Sequence, residues 1–125
     1  MKRILGIDCS PKVEKVVSGL FGGNDDVQYE QFHDGIALNG YQMIILEMGR
    51  NQEHVVQQIC KLRYACNFQN IPIILINARK KDIPSQPYII AGATEVLSLS
   101  DPLPACRHIM NGYLIPGREP LEEEF

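Results

Sequence analysis

Four residues with reactive or ligating side chains each stand directly behind an apolar run. Asp8 and Cys9 follow Ile4-Leu5-Gly6-Ile7, Glu47 closes Tyr41-Gln42-Met43-Ile44-Ile45-Leu46, and Asn77 follows Ile71-Pro72-Ile73-Ile74-Leu75-Ile76. Two carboxylates that meet can share a divalent cation; without one, they crowd each other until one holds its proton more readily. A thiol where a strand turns into a helix can become a nucleophile, because the helix amino end favours negative charge. A carboxylate can also accept a phosphoryl group, provided that a metal and a cation neutralise the charge that moves. Which of these chemistries is open depends on what brings the residues together.

The chain of 125 residues, 45% hydrophobic and 22% charged, reads as one ordinary soluble domain with a real core. A net charge of -3 favours neither nucleic acid nor an anionic membrane as a partner. No apolar run approaches the roughly 20 residues that span a bilayer, and Met1-Lys2-Arg3 leads into strand-like residues without a signal-peptide pattern, so the expected location is cytoplasmic. Cys9, Cys60, Cys66 and Cys106 form no Cys-x-x-Cys pair, and His33, His54 and His108 lie at no metal-site spacing from them; the cysteines read as reduced thiols.

The elements follow from periodicity. Arg3 to Asp8 and Tyr41 to Glu47 are continuous apolar runs, the pattern of strands buried on both faces. Between them Ser10 caps a helix, Pro11 suits its first turn, and Val13, Val16, Val17, Leu20 and Phe21 recur at helical spacing up to Gly22-Gly23. Val27 to Phe32 reads as an edge strand, and Asp34 to Gly40 leaves room for barely two helical turns. Asn51 caps a long helix with Val55, Val56, Ile59, Leu62 and Cys66 inward. Ile71 to Ile76 is the next strand, with Pro72 tolerable only at its start. Pro84 and Pro87 confine the following helix to a short piece through Tyr88, Ile89 and Ile90. Glu95 to Leu99 is a fifth strand; Asp101 and Pro102 open a last helix with Leu103, Cys106, Ile109, Met110 and Tyr113 inward. Residues 1–115 form the domain, and 116–125, without periodicity and with four acids, a tail or the start of a linker.

Five alternations of strand and helix require a parallel sheet covered on both faces. Ligands of such sheets sit at the carboxyl ends of the strands, beside the switch point. Asp8, Cys9, Glu47, Asn77 and Leu99 or Ser100 are therefore expected to gather there.

Over residues 2 to 114 the sequence resembles the receiver domain of bacterial two-component response regulators. The matching stretches are Ile4 to Pro11, Tyr41 to Glu47, Ile71 to Ala78 and Gly92-Ala93-Thr94-Glu95-Val96-Leu97, in the family's order. The resemblance implies an α/β, flavodoxin-like (βα)5 three-layer sandwich whose five parallel strands run in the order 2-1-3-4-5, here with a short second helix and a fourth helix disrupted by proline. It also implies a pocket in which an aspartate accepts a phosphoryl group beside magnesium, and this sequence departs from that pocket throughout. Glu47 stands at the phosphoacceptor position, Cys9 replaces one of two metal-binding acids and leaves Asp8 alone, Asn77 replaces a hydroxyl residue, and Leu99 replaces a lysine. Val96 takes the place of the aromatic residue that moves in the family's switch.

A thiol is a soft substitute for a hard oxygen ligand, and Leu99 cannot screen a phosphoryl group. The expectation is a degenerate pseudo-receiver, not an enzyme, with no cofactor and at most weak magnesium binding at Asp8 and Glu47. It would bind a protein partner or an attached effector domain, or dimerise through the fourth helix, fifth strand and fifth helix, where Pro87, Tyr88, Ile89, Glu95, Arg107 and Asn111 are the residues to test. Two alternatives stay open: a phosphorelay receiver that uses Glu47 itself, and a redox or thiol site at Cys9. Glu47 has a plainer reading too, as a half-exposed acid at a strand end bonded to nearby amides.

Overall fold

The computed structural model describes residues 2–21, 27–33, 40–65, 71–79, 83–99 and 103–113. Five strands, β1 (Lys2–Ile7), β2 (Val27–Gln31), β3 (Met43–Glu47), β4 (Ile73–Asn77) and β5 (Glu95–Ser98), form one sheet in the order β2-β1-β3-β4-β5. All four pairings are parallel. This is the flavodoxin-like strand order, in which the chain reverses direction across the sheet between β1 and β3.

The sheet sits between two apolar layers. On one face α1 (Pro11–Leu20) and α4 (Leu103–Gly112) bury Val13, Val17, Leu20, Cys106 and Met110 against Ile4, Met43, Ile45, Ile74, Ile76 and Leu97. On the other, α2 (Gln52–Ala65) and α3 (Gln86–Ala91) bury Val55, Ile59 and Tyr88 against Leu5, Ile7, Ile44, Leu46, Ile73 and Leu75. Alternate residues of each strand thus feed opposite layers, which is why β3 and β4 read as unbroken apolar runs. Met43 to Leu46 and Ile73 to Leu75 have no exposed surface, worth roughly 1.5–3 kcal/mol of burial per side chain.

The prolines act as their positions require. Pro11 lies in the first turn of α1 behind the Ser10 cap, and Pro72 precedes β4 rather than interrupting it. Pro87 lies in the first turn of α3, which has six residues and is capped at its carboxyl end by Gly92 with φ 126°. The expected helix within Asp34 to Gly40, Cys66, the Asp101-Pro102 helix start and the tail lie outside the described residues, except that Gly40 itself takes φ 90°. Among the described residues no helix is long and apolar enough to cross a membrane.

Gly6 has a packing role that periodicity does not disclose. A Cβ at this position would collide with the Tyr29 hydroxyl and lie 2.5 Å from Tyr29 Cζ, because the tyrosine from the edge strand β2 packs directly against Gly6. Gly6→Ala should therefore lose about 1–3 kcal/mol of stability in urea denaturation, the cost of overpacking a closed site. The loss should shrink when Tyr29→Val is combined with it, since the two residues share the contact.

Candidate functional site

Sheet register carries the chemistry-bearing residues to one edge. Ile7 pairs with Leu46, Glu47 with Ile76, and Asn77 with Ser98, so Asp8, Glu47, Asn77 and Leu99 all follow at the carboxyl ends of neighbouring strands. The expected gathering is realised; Ser100 lies outside the described residues. Each of these groups, however, is turned toward the protein's own chain.

Glu47 is half-buried at the tip of β3, and its Oε1 accepts the backbone N–H of Ser10 at 2.6 Å. Asp8 is exposed and takes φ 54°, a left-handed conformation in which aspartate is several-fold enriched. That turn brings its Oδ2 to within 2.7 Å of the Gln58 side-chain amide on α2. The two carboxylates are thus engaged by different elements, α1's first turn and α2. No hydrogen bond or ion pair joins the Arg79 guanidinium to either acid among the described residues, and the Arg79 backbone N–H donates to Asn77 Oδ1 at 3.0 Å.

Cys9 is only 6% exposed, and its Sγ lies 3.6 Å from the carbonyl oxygens of both Ile7 and Ile45. Burial pushes its pKa from 9.0 up to about 11 against a smaller opposing effect of the nearby Tyr29, and the Glu47 charge adds to the rise. The alternative of a redox or thiol site at Cys9, left open by the sequence, gains no support from this burial. Although Cys9 precedes a helix, it points into the α1 layer of the core, where desolvation outweighs the helix dipole.

Asn77 is 4% exposed and uses its carbonyl oxygen to accept from Arg79. The Leu99 N–H donates to the Asn77 backbone oxygen at 3.0 Å, and its side chain packs on the α1–α4 layer. Where a cation would be needed, the chain supplies an apolar contact. Magnesium takes near-octahedral oxygen ligation with little tolerance for distortion. Here two carboxylates are held by other donors, and the third position is a buried thiol. No cluster of three His, Cys, Asp or Glu side chains able to hold a metal occurs among the described residues. The residues present do not fit that ion.

A cleft of about 310 Å³ opens beside Asp8, with walls formed by Ile7, Phe32, Leu62 and Ala65 and with Gln58 and Lys61 at its polar rim. Away from this edge, the six residues chosen as a partner surface divide. Ile89 and Arg107 are exposed, and Pro87, Glu95 and Asn111 are half-buried, with Glu95 accepting from the Tyr113 hydroxyl at 2.7 Å. Tyr88 belongs to the core at 2% exposure and is withdrawn from that surface. Pro87 fixes where the short helix begins, and that phase turns Tyr88 toward the sheet. Ile90, 75% exposed on the same helix, takes its place outside.

Solved structures share this fold. A two-component response regulator from Clostridium difficile superposes with a TM-score of 0.72 at 16% identity, over 95% of this chain and 100% of the other. The fold is that of response-regulator receiver domains. A receiver protein from Pseudoalteromonas atlantica gives 0.69 at 16% identity, over 90% and 96% of the two chains. The receiver domain of a sensor histidine kinase from Pseudomonas aeruginosa gives 0.65 at 16%, over 90% and 97%; that receiver coordinates a magnesium ion in its active-site cleft. No protein-family model and no curated protein sequence matches the chain.

Reading the sequence misses two residues of this receiver-fold edge. Gln58 looks like an ordinary polar position of an amphipathic helix, and no sequence signal ties it to Asp8, 50 positions earlier. Tyr29 carries the alternation of an edge strand but gives no sign that its side chain packs against Gly6 in the layer that buries Cys9.

Proposed function

We propose that this chain is a degenerate receiver, a non-enzymatic module for phosphorylation-independent protein interaction in signal transduction or transcriptional control. The observation that carries the reading is the state of the strand-end groups. Glu47, Asp8 and Asn77 are hydrogen-bonded to Ser10, Gln58 and Arg79, Cys9 is a buried thiol, and Leu99 packs on the core. Phosphoryl transfer depends almost wholly on positioning and on charge stabilisation, and these residues offer neither a set of free oxygen ligands for a metal nor a lysine for it.

A fold kept without its phosphate-handling groups still presents surfaces. The exposed Ile89, Ile90 and Arg107 around α3 and α4 support contact with a protein partner, an attached effector or a second copy. Magnesium and other cofactors have no part in this reading.

Incubation with acetyl phosphate and magnesium, followed by intact-mass measurement, tests it. The expected result is an unchanged mass. Gain of one phosphoryl group, mapped to Glu47, would establish the rival reading of an atypical phosphoacceptor.

A further inference from the structure

Helix α1 starts with an incomplete cap. Ser10 accepts the Val13 N–H on its Oγ at 3.4 Å, and Pro11 has no N–H to satisfy. In a capping box the residue at the third helical position sends a Glu or Gln side chain back to the N–H of the cap. That position is Val13 here, which has nothing to send. The Ser10 N–H is met instead by Glu47 Oε1 at 2.6 Å, from a strand 37 positions away.

We infer that Glu47 is the missing half of the α1 capping box, supplied across the crevice between β1 and β3, and that this bond occupies the place a divalent cation would need. Its carboxylate also faces the positive end of the α1 dipole, where a negative charge is stabilised. Asp8 is held in the same manner by Gln58. The protein's own donors thus tie the β1–α1 turn to the tip of β3 and to α2. The inference goes beyond the proposed function, because it assigns Glu47 a positive role that stands whether or not a partner is ever bound.

Thermal unfolding of the full chain with magnesium, with manganese and with EDTA tests it, alongside hydrogen exchange at the Ser10 amide. The wild-type midpoint should be the same in all three solutions. Glu47→Ala should lower the midpoint by about 4 °C, as loss of a helix cap does in a domain of this size. It should speed Ser10 exchange relative to Glu14, whose N–H bonds to Ser10 O within the helix. Glu47→Gln, which keeps an acceptor oxygen at the same reach, should fall between the two. Glu47→Asp, one carbon shorter, should behave like alanine, and magnesium should not restore it.

A rise in the wild-type midpoint with either metal would overturn the inference, as would Ser10 exchange that ignores Glu47→Gln and Glu47→Ala alike. If alanine does not fold, the glutamine variant and the wild-type metal comparison still decide. A metal response without phosphoryl uptake defeats this inference alone, whereas phosphoryl uptake defeats the proposed function.

Discussion

At neutral pH, Cys9 should react with iodoacetamide about 100-fold more slowly than a cysteine in an unstructured peptide. The factor follows from the thiolate, which is the reacting species: raising the pKa from 9.0 to about 11 removes about two powers of ten from its population. Burial slows the reaction further, since the reagent must wait for an opening of the fold. Cys60, exposed on α2, supplies an internal reference in the same sample. Peptide mapping over time should show Cys60 labelled early and Cys9 late; equal rates would revive a thiol function at the β1–α1 turn.

The same thiol links stability to pH with a definite sign. In the unfolded chain it ionises near 9.0, in the fold near 11, so between those values the native state binds more protons. Its stabilising contribution is complete below pH 9 and is lost as pH rises toward 11. The Tyr29 hydroxyl, raised chiefly by burial, adds a decline at higher pH still. A urea midpoint that falls over pH 9–11 in wild type and falls less in Cys9→Ala is the expected signature.

Replacing Arg63 by alanine should cost about 2–4 kcal/mol, a large share of the 5–15 kcal/mol that holds an ordinary domain. The guanidinium sits in the last turn of α2 and clamps two other segments. Nη1 donates to Ile71 O at 2.7 Å, Nε and Nη2 donate to Gly92 O at 3.1 and 2.8 Å, and Nη2 reaches Thr94 Oγ1 at 3.3 Å. Thr94 in turn accepts from the Ile73 N–H at 2.9 Å, so one side chain ties α2 to the start of β4 and to the turn before β5. Truncation leaves part-buried carbonyls without their charged donor, which costs more than a neutral pair does. Arg63→Lys should recover no more than about half, because an ammonium cannot reproduce the planar fork. Chemical denaturation of the three proteins measures both numbers; a loss under 1 kcal/mol for alanine would mean that water replaces the clamp.

The contrast between Glu47 and Cys9 shows how far the residues could be read in advance. Both stand at strand ends beside a helix start. For Glu47 the plain reading, an acid bonded to nearby amides, agrees with the bond to Ser10. For Cys9 the local argument from the helix end left a thiol site open as an alternative, and only the burial of the side chain weighs against it. Its side chain enters the core beneath Tyr29, and neither the depth nor the tyrosine is visible from neighbours in sequence. Tyr88 repeats the lesson on α3, where a six-residue helix carries too few positions for its phase to be inferred.

By itself the sequence determined the alternation of strands and helices, the parallel sheet and the edge at which Asp8, Glu47, Asn77 and Leu99 meet. Those follow from the period of apolar residues, a property of neighbours along the chain. Only the tertiary structure decided what each group does at that edge. Hydrogen-bond partners such as Ser10 for Glu47 and Gln58 for Asp8 lie 37 and 50 positions away, and a side chain's charge state depends on the solvent it loses when those distant segments close over it.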